Sequence, residues 1–219
     1  MLRPISFPHA PARRPAPGRT TARAIAPALE AALGATALGW LARGDAELVA
    51  HSLRTARLSA LLSRSLGWSE IAERQIERAA VFHDIGKTLL PPTLLAKPGR
   101  LEPAEVELIR QHTRWGASLL SALGQVPALA REIALHHHER WDGTGYPHRL
   151  AGLDIPEAAR IVAVADAYDA LTADRTYGEP IAAEAALERL GPEAGAQFDS
   201  AVLDVLAAVL GSGPSGRPC

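Results

Sequence analysis

Apolar positions recur with a helical period along most of this chain. In DAELVAHSLRTARLSALLSRSLG, residues 45–67, the leucines Leu48, Leu58, Leu61 and Leu62 form one apolar stripe. Asp45 suits the N-cap of that helix, and Gly67 suits the position just past its last turn. Ser69 then caps SEIAERQIERAAVFHDIGK, where Ile71, Ile76, Ala80 and Val81 repeat at helical spacing and Gly86 marks the stop. TLLPPTLLAKPGRL is expected to be extended, because its prolines oppose a regular helix. PAEVELIRQHTRWGASLLSALG resumes the helical pattern, with Pro103 in the favoured first turn and Glu102 as a mediocre cap. PALAREIALHHH is a shorter helix. ERWDGTGYPHRLAGLDI has the Gly, Asp and Pro density of a loop. PEAARIVAVADAYDALTAD is a strong helix, and two more are predicted at about 181–191 and 198–210. No alternating strand pattern appears, so the expected fold is all-α with seven or eight helices.

The ends differ from this middle. Residues 1–20 carry five prolines and four arginines and read as a loose arm. An Ala/Leu-rich segment over about 21–44 predicts one further helix, suited either to covering the core or to pairing with a second subunit. GSGPSGRPC, 211–219, reads as a frayed tail.

Composition narrows the classes. Hydrophobic residues are 47% of the 219, enough for a real core, and the formal net charge of −1 gives no bulk field for nucleic acid or membranes. The single cysteine, Cys219, excludes a disulfide framework and fits a reducing cytosol. Neither a membrane-spanning run nor a secretory leader is evident, so a cytoplasmic protein is expected.

The polar residues placed within this apolar pattern carry the candidate chemistry. Glu47 and His51 are four apart and project from one helical face. His83 and Asp84 close an apolar helix where hydrophobes would be expected. His112 lies within the next long helix, His137 and His138 end the short one, and Asp166 sits among Val162, Ala163 and Val164. A lone histidine is usually a hydrogen-bonded core or surface residue, but a buried ionised carboxylate such as Asp166 needs a partner or a metal. Five histidines and three carboxylates on five helices form a mixture suited to Fe, Mn or Zn.

HDIGK at 83–87 and HHERWDGTGYP at 137–147 resemble the HD-GYP family of the HD phosphohydrolase superfamily. LAKPGRL at 95–101, IP at 155–156, RIVAVADAYDALTADRTY at 160–177 and QFD at 197–199 extend the resemblance. It makes 45–210 an HD-GYP catalytic domain. It implies hydrolysis of the bacterial second messenger cyclic di-GMP to pGpG or GMP by a hydroxide bridging two metals, commonly iron or manganese. The implied ligands are His51, His83, Asp84, His112, His137, His138 and Asp166, with Asp84 bridging. Glu47 matches the extra glutamate of members that hold a third metal. Lys87 matches a lysine near the scissile phosphate. Gly143, Gly145, Tyr146 and Pro147 match the substrate loop, and Arg175 matches an arginine that contacts substrate. His136, one residue before the matched pair, is expected to be a bystander with a supporting or surface role.

Some positions depart from the pattern. Gly178 stands where a basic residue is usual, which puts substrate affinity in question more than chemistry. The 44 residues ahead of the domain are expected to be too few for a sensory domain. A homodimer through 22–43, or a partner signalling protein, is the expected assembly. The rival readings are a related phosphohydrolase of another cyclic dinucleotide or nucleotide, and a domain that binds nucleotide or partner without turnover.

Overall fold

The computed structural model describes residues 46–124, 126–173 and 179–211. The arm at 1–20, the helix expected at 21–44, Arg175, Gly178 and the tail beyond Gly211 lie outside the described residues. Within them the fold is all-α. Eight helices follow in order: α1 (Ala46–Ser65), α2 (Glu70–Ala80), α3 (Pro92–Leu95), α4 (Pro103–Leu123), α5 (Ala128–His136), α6 (Glu157–Thr172), α7 (Ala183–Leu190) and α8 (Ser200–Gly211). Short 3-10 turns at Ile85–Leu89, Gly152–Asp154 and Gly191–Glu193 join them.

Local chemistry accounts for most of the boundaries. The Ser69 hydroxyl accepts the Ala72 N–H at 3.3 Å and starts α2. Gly67 takes φ 91°, the left-handed value that an L side chain resists, and so turns the chain out of α1. At α4 the weak cap Glu102 is helped by Glu105, whose carboxylate accepts the Glu102 N–H at 2.7 Å.

Two boundaries differ from the sequence reading. The segment expected to be extended, 88–101, begins in the end of the 3-10 turn 85–89 and contains α3, with Pro92 in the first turn of α3, where a missing N–H costs nothing. Helix α2 ends at Ala80 rather than at Gly86. His83 and Asp84 therefore lie in a tight turn, with the His83 N–H on the Ala80 carbonyl and the Ile85 N–H on the Phe82 carbonyl.

Packing follows small residues as much as large ones. Helix α1 contacts α2, α6 and α8, and α4 packs on α5 and on the turn 85–89. The buried face of α1 is Ser52, Thr55, Ala56, Ser59, Ala60 and Ser63, joined by Leu62. Leu61 and Ile71, expected on apolar stripes, are instead 43% and 66% exposed. Small side chains let backbones approach closely, and two of their hydroxyls are paired within the helix: Ser59 donates to the Thr55 carbonyl and Ser63 to that of Ala60, both at 2.8 Å. The remaining core is apolar, with Phe82, Ile76, Ile85, Leu120, Ile133, Ile161 and Leu206 fully buried.

One close approach sets the position of the candidate site. A Cβ on Gly86 would lie 1.9 Å from the His112 carbonyl oxygen, so only glycine lets the turn 85–89 reach α4. That contact places Asp84 beside His112.

Candidate metal centre

Five elements contribute side chains to one buried cluster. His51 comes from α1, His83 and Asp84 from the turn after α2, His112 from α4, His137 and His138 from the end of α5, and Asp166 from α6. Their ligand atoms gather in two groups that share Asp84: His51 with His83, and His112 with His137 and His138. The two oxygens of Asp84 face opposite ways. Oδ2 lies 3.4 Å from His83 Nε2 and 3.8 Å from His51 Nε2. Oδ1 lies 3.3 Å from His112 Nε2 and 3.6 Å from His137 Nε2. Asp166 Oδ1 adds to the first group, 3.0 Å from His51 Nε2 and 3.9 Å from His83 Nε2.

The imidazoles are aimed by their outer nitrogens. Nδ1 of His83 donates to the Ala80 carbonyl at 2.9 Å, Nδ1 of His112 to that of Ile109 at 2.7 Å, and Nδ1 of His137 to that of Ile133 at 3.0 Å. Each such bond fixes the tautomer that leaves Nε2 as a lone-pair donor toward the centre. His51 is aimed by Asp169, whose Oδ2 accepts from Nδ1 at 2.7 Å, and Arg54 holds Asp169 in turn through Nε at 2.6 Å.

Charge in the cluster is strongly biased. Burial opposes ionisation of Asp84, but Lys87 and His83 outweigh it and hold the carboxyl well below the usual carboxylate range. Burial likewise opposes the Asp166 carboxylate, and the bond to His51 outweighs it. Burial pulls His51 down, yet the hydrogen bonds to Asp166 and Asp169 carry it up to about 9. Burial holds His112 and His138 down, His138 strongly so because His137 and His112 add to the effect. His112 and His138, kept neutral beside the ionised Asp84, belong to the donor set a divalent cation needs, whereas a cation in the first group would have to displace the proton on His51. Asp84 Oδ1, His112 Nε2 and His137 Nε2 are buried atoms with no hydrogen-bond partner, which fits a cation lying between them.

Glu47 stands apart from both groups. It is half exposed and accepts from Arg54 Nη2 at 3.3 Å. Lys87 pairs with Asp84 Oδ2.

The loop after α5 forms a wall over the second group. Tyr146 stacks on His138, with ring centroids 4.9 Å apart and planes inclined by 24°. Gly143 takes φ 75°, and a Cβ on Gly145 would lie 2.3 Å from the Arg140 backbone nitrogen, so both glycines meet real constraints. The loop is tied down from outside. The Trp141 N–H donates to the Gln197 carbonyl at 3.1 Å, and Arg140 Nη1 donates to the Gln197 side chain at 2.8 Å. Pro147, following a cis peptide bond, offers its carbonyl to Arg114 at 3.2 Å. On the far side of Tyr146 opens a cavity of about 470 Å³ whose lining includes Arg110, Arg114 and Arg149.

Three residues of evident importance are absent from the sequence-based set. Asp169 and Arg54 orient His51, and the buried Glu139 carboxylate accepts the backbone N–H groups of His148 at 2.7 Å and Leu150 at 3.1 Å. The available signal was Asp169 three residues after Asp166, which puts both carboxylates on one face of α6.

An all-helical domain built around a shared histidine–aspartate cluster defines the class. The HD domain family model matches residues 36–202, and the chain belongs to that family, in its GYP-containing branch. It is 45% identical over 157 residues to the cyclic di-GMP phosphodiesterase response regulator RpfG of Xanthomonas campestris pv. campestris, covering 70% of this chain and 41% of that protein. It is 38% identical over 161 residues to 3'3'-cGAMP-specific phosphodiesterase 2 of Vibrio cholerae, covering 73% of this chain and 31% of that protein. The chain thus spans less than half the length of these curated relatives. The same fold occurs in Bd1817, an HDG"Y"P protein from Bdellovibrio bacteriovorus, with TM-score 0.62 and 22% identity over 75% of this chain and 53% of that one. Among the described residues no helix is long and apolar enough to cross a membrane.

Proposed function

We propose that this chain is a metal-dependent phosphodiesterase that opens cyclic di-GMP to pGpG or GMP in the cytoplasm. The observation that carries the reading is Asp84, one buried carboxylate with each oxygen turned to a separate histidine group. The curated relatives supply the substrate class, since both act on cyclic dinucleotides by name.

His51, His83, Asp84 and Asp166 would hold one ion, and Asp84, His112, His137 and His138 a second, with iron or manganese the preferred metals. Bound there, the ions would neutralise phosphoryl charge and lower the pKa of a water molecule. The chain's own residues do the rest. Asp84 fixes the spacing of the two groups. Lys87, beside Asp84, would meet charge on the scissile phosphate. Tyr146 presents an aromatic wall for a base, and Arg114 and Arg149 give the adjoining cavity net positive charge, Arg110 being paired there with Glu107. Arg175 is a further contact to substrate. Glu47 becomes a ligand for a third ion only when its pair with Arg54 opens.

The 3'3'-cGAMP-specific relative supports a second substrate of the same class. Incubating iron- or manganese-loaded protein separately with cyclic di-GMP and 3'3'-cGAMP, and resolving the products, tests the reading. Faster loss of cyclic di-GMP with appearance of pGpG or GMP is expected. Faster cleavage of 3'3'-cGAMP would reassign the substrate, and no cleavage of either would overturn the proposal.

A further inference from the structure

The first histidine of the 136–138 run lies outside the cluster just described. His136, at the C-terminus of α5, meets Glu139 and His148, and one ligand atom from each of the three lies within 4.8 Å of the others. His136 Nδ1 is buried without a hydrogen-bond partner and sits 3.8 Å from Glu139 Oε1. The His136 and His148 rings are 5.2 Å apart, centroid to centroid. The Glu139 side chain is fully buried, and the N–H groups of His148 and Leu150 hold its carboxylate in place.

We infer that His136, Glu139 and His148 form a separate divalent-metal site of the zinc class, which pins the loop after Tyr146 to the end of α5. Two imidazoles and one carboxylate are a recurrent zinc donor set, and the fourth position falls to solvent. Tetrahedral zinc with ligands at about 2.0–2.1 Å places donor atoms roughly 3.3–3.5 Å apart. The 3.8 Å gap between His136 and Glu139 is already close to that value. His148 is exposed on a loop and has room to close the remainder. Each lone pair that Glu139 gives to a backbone amide leaves another on the same oxygen for a metal. The C-terminal end of α5 carries partial negative charge, which favours a cation at this spot. Because the loop 147–150 follows Tyr146 directly, an ion here would stiffen the wall of the arginine-lined cavity. The site needs no turnover, so it stands or falls apart from the proposed activity.

The test counts total metal per full-length chain after manganese loading, zinc equilibration and desalting, for wild type, His148→Ala and His136→Ala. Wild type should retain one more equivalent than either variant. Amides of 144–150 should also exchange more slowly in zinc-equilibrated wild type than in zinc-equilibrated His148→Ala. Equal metal counts in wild type and His148→Ala would overturn the site. So would an additional equivalent that survives His136→Ala.

Discussion

The two halves of the cluster satisfy their polar atoms in opposite ways. In the half built from α1, α6 and the turn after α2, His51 is enclosed by carboxylates, at 2.7 Å from Asp169 and 3.0 Å from Asp166. A proton on His51 can do there, in the absence of metal, what a cation would do. In the half built from α4 and α5, the inward atoms Asp84 Oδ1, His112 Nε2 and His137 Nε2 have no partner. Burial keeps His112 and His138 from charging, so protonation cannot stand in for the cation. Without an ion the first half is self-sufficient in its polar contacts, while the second is dependent on a partner that its side chains do not supply. Asp84 couples them.

Removing the shared carboxylate should have the largest effect. Asp84→Ala is expected to lower turnover by on the order of 10³-fold or more while the helical circular dichroism survives. Wild-type turnover in a folded, metal-loaded variant would break the link between the halves. Next comes the dependent half: His137→Ala or His138→Ala should lose about one ion per chain from the cluster in a metal count. The self-sufficient half should respond more gently. Asp169→Asn removes the charge that orients His51, and is expected to weaken metal affinity by about 10–100-fold, read by competition with a chelator. An unchanged affinity would show that His51 holds its pose without Asp169. The smallest effect on the cluster is expected from His136→Ala, which should leave both shared-cluster ions in place and remove only the zinc-class equivalent.

The difference between the halves also explains what could be read in advance. His83, Asp84, His112, His137, His138 and Asp166 were legible because polar residues interrupt apolar helical patterns, and the HD and GYP stretches frame them. The all-α fold followed from periodicity alone. Asp169 was not legible, since an acidic residue three positions past Asp166 reads equally well as the solvated face of a helix. Arg54 reads as surface charge until Asp169 is placed beside it. The buried face of α1 was hidden for a related reason. Close helix packing is made by Ser, Thr and Ala, and the leucines that dominate a hydrophobic count sit partly at the rim, Leu61 most of all. The end of α2 at Ala80 depends on the approach of Gly86 to α4, a contact across the fold that no local pattern records. Glu47 stands differently: its spacing from His51 suggests a ligand for a third ion, and here its carboxylate is paired with Arg54.

That Asp84 joins two ion sites into one phosphodiesterase centre is the proposal on which the other predictions depend. It is tested most directly by anaerobic iron or manganese loading, metal quantification, and product detection with cyclic di-GMP on the same sample. At least two ions per chain, cleavage to pGpG or GMP, and loss of both in Asp84→Ala are expected. Full metal occupancy without any cleavage, or cleavage that persists in metal-free protein, would contradict it.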